Sequence, residues 1–280
     1  MRIRSYRRAV AVLVAGAATI LVLTGCSAWP FNQAGAMAEA PKAGSCWNAD
    51  ADLLFDNIDW QGPPALTCDS DHTTWTYAVM PMKGFAGGSY LGSDHSLRND
   101  VNAAATEQCR QAWRHEFPGF TDREQALLST WLLPAPSGWK SGERWVRCDL
   151  SEMIGGSWAK PTLAHLPDHI RTLLSDVKAH PAAYEQCVNT SPASAPGGVE
   201  ATKNHAEIVP CSAAHVWRLI WERQFWSASA AYPGAKKISD VTGKACDADA
   251  RGMSDWQTYP PNADTWKWGD RLTDCWGREG

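Results

Sequence analysis

Eight cysteines, Cys46, Cys68, Cys109, Cys148, Cys187, Cys211, Cys246 and Cys275, are the residues of this chain best placed to do chemistry. Two of them precede a histidine by four positions, Cys68 before His72 and Cys211 before His215. Thiols and imidazoles so spaced can hold zinc, pair a nucleophile with a base, or serve as disulfide halves. A structural zinc site draws on two closely spaced ligand pairs, and neither half contains a Cys-x-x-Cys to supply the second pair, so no metal is expected. A nucleophilic cysteine must be a free thiolate, which a bridged cysteine is not. The run His165-Leu166-Pro167-Asp168-His169 places two imidazoles four apart, but Pro167 upsets the helix that would align them and the glutamate of H-E-x-x-H is missing. The sequence has no G-x-S-x-G, glycine-rich phosphate loop or acidic metal cluster. These observations predict no catalytic residue and no cofactor.

The first residues give the compartment. Arg2, Arg4, Arg7 and Arg8 form a basic stretch, and Ala9 to Leu23 is apolar. That run is short of the roughly 20 residues of a membrane span and suits a signal peptide. It ends in Leu23-Thr24-Gly25-Cys26, which resembles the bacterial lipobox and predicts cleavage after residue 25 and a diacylglyceryl, palmitate-type modification of Cys26. The expected location is the extracytoplasmic face of the cell membrane. The formal charge of −4 becomes more negative once the four leader arginines are gone, which excludes a nucleic-acid footprint and a polybasic lipid patch. Export to an oxidising compartment makes an even set of eight remaining cysteines a disulfide framework.

The cysteines also divide the chain. Cys46-Trp47-Asn48 and Cys187-Val188-Asn189 open two halves, Cys-x-x-x-His follows in each, and a third cysteine lies in a helical stretch. Each half closes on P-x-x-x-x-W-K-x-G-[acid]-R-x-x-x-C, from Pro134 to Cys148 and from Pro261 to Cys275. We read this as a tandem duplication with two bridges in each copy. The interval between first and second cysteines is similar in both halves, which favours pairing first with second and third with fourth; the nested pairing stays open. Within the closing motif, glycine suits a tight turn, tryptophan can pin it, and the acid and arginine can brace the next strand. Trp139, Arg144, Trp266 and Arg271, with His72 and His215, are the candidate binding residues.

Alternation over Thr73 to Met80 and Val216 to Phe225 predicts strands, as do Arg144 to Leu150 and Arg271 to Trp276. Asn99 to Phe117 has helical spacing, and a second helix carrying Cys246 is expected to begin near Ser239-Asp240. The predicted fold class is α+β, two small disulfide-stapled domains, each a short antiparallel sheet against a helix. The expected organisation is signal peptide 1–25, tether 26–42, first repeat 43–152, a linker with an amphipathic helix over Pro167 to Lys178 within 153–183, and second repeat 184–278. Ser191 to Gly198 reads as a surface loop. The chain is rich in tryptophan, with 16 against 6 Phe and 6 Tyr. Spread as they are, these read first as core; gathered in a groove they would form a platform for sugars.

Gly44-Ser45-Cys46, Cys68, His72, Cys109 and Pro134 to Cys148, repeated as Cys187, Cys211, His215, Cys246 and Pro261 to Cys275, resemble the septum formation domain of Gram-positive cell-envelope proteins. Three residues after each histidine, where members of that family often carry glutamate, stand Trp75 and Arg218. The resemblance implies a membrane-associated module of the cell envelope or septum. The expected function is binding, as a scaffold or sensor for an envelope protein or a cell-wall polymer. A tryptophan-rich carbohydrate-active or redox enzyme is the alternative.

Overall fold

A computed structural model of the chain describes residues 40–55, 64–82, 85, 88–92, 97–120, 126–157, 160–189, 207–227, 229–267 and 269–279. Cys26, the leader, most of the tether and the loop at 191–198 lie outside these residues. Ten strands hydrogen-bond into one mixed-length ladder: β1 (Cys46–Trp47), β2 (Thr74–Pro81), β3 (Leu127–Leu132), β4 (Trp145–Ser157), β5 (Lys160–Leu163), β6 (Gln186–Val188), β7 (Glu207–Pro210), β8 (Trp217–Gln224), β9 (Asp255–Tyr259) and β10 (Leu272–Arg278). Every pairing is antiparallel. Helices are α1 (Ala51–Phe55), α2 (Asn99–Glu116), α3 (Pro136–Ser141), α4 (Ile170–Ala179), α5 (Ala235–Asp249) and α6 (Ala263–Lys267). The α+β class with an antiparallel sheet is therefore as the sequence implies.

The two halves order their strands alike. In the first half β1 pairs β2, β2 pairs β4 and β4 pairs β3; in the second, β6 pairs β8, β8 pairs β10 and β10 pairs β9. The register matches as well. Cys46 faces Trp75 and Cys187 faces Arg218; Ala78 faces Cys148 and Trp221 faces Cys275. Each long pair is interrupted at the same place, between Thr76 and Ala78 and opposite the Cys275/Trp276 step, as an inserted residue in one strand does.

One strand crosses between the halves. Residues 145–152 of β4 pair with β2 and β3, whereas 153–157 pair with β5, and Gly156–Ser157 also pair with β7. The strand runs well past Leu150, where the sequence pattern alone would stop it. Up to Ser151 it alternates, with Val146, Cys148 and Leu150 buried on the helix side and Arg147, Asp149 and Ser151 equally buried on the other. Beyond Glu152 its extent is set by its partners β5 and β7.

The disulfides join Cys46–Cys68, Cys109–Cys148, Cys187–Cys211 and Cys246–Cys275, with Cα separations of 5.2, 5.4, 5.1 and 5.5 Å. First pairs with second and third with fourth in both halves. Cys109–Cys148 fixes α2 to the centre of the sheet and Cys246–Cys275 fixes α5 to β10. Val101, Ala105 and Cys109 form the buried stripe of α2, at the four-residue spacing of one helix face. The corresponding stripe of α5 is Ile238, Thr242 and Cys246. That helix starts at Ala235, a turn before the Ser239-Asp240 expected from capping propensity, with Gly234 as its cap residue. Helix α4 begins three residues after Pro167 and lays Leu173 and Val177 into the core of the first half.

Candidate functional site

The repeated closing motif folds identically in the two halves. Pro136 leads α3, and Gly142 ends it in the left-handed conformation with φ 108°; Gly269 ends α6 with φ 92°. Past that turn the arginine folds back. Arg144 Nη1 donates to the carbonyls of Trp139 and Glu143, and Arg271 Nη1 donates to those of Trp266, at 2.7 Å, and Asp270, at 2.6 Å. Each thus braces its turn, adding a donor to the Trp139 or Trp266 carbonyl, which also accepts from the Gly142 or Gly269 N–H at 3.2 Å. The guanidinium also lies over the indole, at 4.2 Å for Arg144 on Trp139 and 3.9 Å for Arg271 on Trp266. Burial pulls both guanidinium groups below their ordinary value.

Each tryptophan is held from two further sides. Trp139 Nε1 donates to the Gly88 carbonyl at 2.8 Å, and Trp266 Nε1 to the Ala230 carbonyl at 3.0 Å. Two residues beyond each acceptor a tyrosine ring meets the indole edge-on, Tyr90 at 5.1 Å and Tyr232 at 5.5 Å. Tyr90 and Tyr232 belong to this lock, yet nothing in the linear motif marks them; aligning the two halves past their second strands would have done so. The four candidates Trp139, Arg144, Trp266 and Arg271 accordingly sit inside a fastener.

The second glycine carries an additional duty. A Cβ on Gly269 would lie 2.6 Å from the Ala103 Cα of α2, whereas one on Gly142 meets nothing within 4 Å. The turn of the second half is therefore seated on the helix of the first. Gly142→Ala should cost about 1–2 kcal/mol, the left-handed penalty alone. Gly269→Ala should cost about 1–3 kcal/mol more, from overpacking against α2. Denaturant midpoints of the two variants check this, and equal midpoints would contradict the seating.

The two histidines share one local geometry. His72 Nδ1 bonds the Ser70 carbonyl and His215 Nδ1 the Ala213 carbonyl, each at 2.8 Å, so each ring closes the turn ahead of its strand. Beyond that they diverge. His215 Nε2 meets Glu279 at 3.0 Å, Glu279 also pairs with Arg218 at 2.8 Å, and Arg218 pairs with Glu185 at 3.0 Å. His72 is buried, 1% exposed. The structure does not bring His72, His215 and the closing motifs into one site.

Two groupings escape a reading of motifs. Arg147 and Asp149, both fully buried, form an ion pair in which Nε and Nη2 donate to one oxygen, Oδ2, at 2.9 and 2.6 Å; Thr76 donates to Asp149 Oδ1 at 2.7 Å, and Trp47 Nε1 donates to Thr76 at 2.7 Å. Arg147 lies 4.3 Å from the centre of the Trp47 ring, which closes the circuit. Burial raises the Asp149 carboxyl and lowers the Arg147 guanidinium, and the pairing opposes both shifts. The signal was an Arg-x-Asp alternation inside an apolar strand.

The second grouping is a pair of adjoining clefts along α4. One, of about 680 Å³, is lined by Gly44, Thr67, Cys68, Asp69, Trp75 and the segment Asp168–Arg171. The other, of about 740 Å³, is lined by Glu152, Asp176, Tyr184 and further residues of α4, and shares Arg171 with the first. Both volumes fall in the range of small-ligand sites, roughly 300–1,000 Å³. No group of three or more potential metal ligands occurs among the described residues, nor does a helix long and apolar enough to cross a membrane.

No curated protein and no solved structure matches this chain. A family model described as septum formation matches residues 43–275 in one span. That span takes in both histidine turns, both arginine–tryptophan locks and all four disulfides, and with it the chain belongs to the septum formation family, which ties it to a cell-division or envelope role.

Proposed function

We propose that this protein is a lipid-anchored binding module of the cell envelope, two copies of one unit held outside the membrane by Cys26 and acting as a scaffold or sensor near the septum. The observation that carries the reading is the fate of its repeated polar residues. In both halves the motif arginine caps its own turn and stacks on its own tryptophan, and all eight cysteines after Cys26 are bridged. Such chemistry gives a rigid platform. The shared strand order and the bulge repeated at one register position support an origin by duplication. The Leu23-Thr24-Gly25-Cys26 sequence and the basic, then apolar, residues before it support the anchor.

A binder that works by place depends on its attachment, because tethering raises the local concentration of both partners. Cys26→Ala should move the protein from the membrane fraction, washed at high salt, to the soluble fraction, and cells carrying it should show the envelope or division defect of cells lacking the gene. A soluble form that restores normal division would overturn the reading, and so would a Cys26→Ala protein that stays with the membranes.

A further inference from the structure

The two halves serve as controls for one another at the first cleft. The cysteine registers make Gly44 equivalent to Glu185 and Trp75 equivalent to Arg218, and the sulfurs of Cys68 and Cys211 approach the Gly44 and Glu185 carbonyls at 3.4 and 3.2 Å. Following the matched bulge along β4 and β10 makes Glu152 equivalent to Glu279. In the second half Glu185, Arg218, Glu279 and His215 close on one another through contacts of 2.8 to 3.0 Å. In the first half all that closure is undone. Glycine replaces one carboxylate, tryptophan replaces the cation, and the place is an open cleft with Trp75 partly exposed in its wall.

The remaining carboxylate is left over from that change. Among the described residues Glu152 has no cation paired with it; burial first, and then the charge of Asp176, raises its carboxyl above the ordinary range. A half-buried acid without a counter-charge is costly unless hydrogen-bond donors reach it. Arg171 stands between Trp75 on one side and Glu152 on the other, because both clefts include it. The groove therefore presents a flat apolar indole, carboxylate acceptors and a guanidinium donor in sequence along α4.

We propose that this groove binds a chain of pyranose sugars, with Trp75 lying against the C–H face of one ring and Asp69, Arg171 and Glu152 taking its hydroxyl and amide groups. The aromatic face suits the apolar side of a sugar ring. The alternation of acceptors and donor suits neutral groups that both give and accept hydrogen bonds. A strongly basic peptide would meet Arg171 in the middle of the groove. The proposal rests on the binding reading above and names the polymer class it would engage.

The probe is a β-1,4-linked tetramer of N-acetylglucosamine, titrated calorimetrically into the full chain held in detergent. Saturable binding is expected, weakened at least ten-fold by Trp75→Ala and several-fold by Asp69→Asn or Glu152→Gln. The latter two change surface or half-buried groups without removing volume, so they decide the question should Trp75→Ala fail to fold. An absence of saturable heat with the wild type, or unchanged binding in the folded variants, would overturn the proposal. An oligolysine peptide that saturates in place of the sugar and is lost with Trp75→Ala would do the same, and would assign the groove to a protein. None of these outcomes touches the Cys26→Ala phenotype, so the sugar can fail while the anchored binder stands.

Discussion

Arg147→Ala should lower the stability of the protein by about 3–5 kcal/mol, because it strands the fully buried Asp149 without a counter-charge. It also removes the cation above Trp47 and the two hydrogen bonds that Arg147 donates to Asp149, leaving the one from Thr76. A denaturant titration gives the number, and a loss under about 1 kcal/mol would mean that water reaches the carboxylate. The double replacement Arg147→Leu/Asp149→Leu should recover a good part of the loss, since swapping both charges for apolar groups avoids the desolvation of either. At the positions equivalent to Trp47, Thr76 and Asp149 the second half carries Val188, Leu219 and Trp276, which pack together as an apolar cluster, and at that of Arg147 it carries the buried Asp274.

Removing the Cys109–Cys148 bridge should have an effect of similar size. The cysteines are 39 residues apart, and releasing a loop of that length from the unfolded chain corresponds to about 4 kcal/mol in the chain-entropy account. Both residues lie in the largest core cluster, beside Val101, Ala105, Val146 and Leu150. Cys109→Ala/Cys148→Ala therefore also leaves unfilled volume, and the effect should not fall below the entropic figure. Thermal and denaturant melts of the double variant check this, with non-reducing peptide mapping to establish that the other three bridges have formed. A loss below about 1 kcal/mol would show that α2 is held to the sheet by packing alone.

Much of the scaffold was legible because its determinants are local. Cysteine order, the alternation after each histidine, and the helical spacing around Cys109 each concern residues near one another in the chain. What escaped was set by distant partners. The short strands β3, β5, β7 and β9 are defined by the strand they lie against, and four to six residues carry too little periodicity to announce themselves. Helix α5 starts at Ala235 because Gly234 turns the chain there, a conformation that capping propensity does not register. Of the candidate site, the turn motif could be read but not its function as a lock, since Tyr90 and Tyr232 enter from about 50 and 34 residues upstream of their tryptophans. The groove along α4 was invisible. It is made from Trp75 of one strand, Glu152 of another and helix α4, residues far apart in the chain.

The long strand β4 also suits a chain that folds as it emerges. A chain that emerges from its N-terminus completes Trp145 to Glu152 with partners already made, β2 and β3. Its last five residues then protrude with one hairpin partner, β5, and one vacant rim, to which β7 must add at Gly156 and Ser157. The earlier half thus offers a rim that the later half joins through two residue pairs, while the later half keeps a ladder of its own, β6–β8–β10–β9.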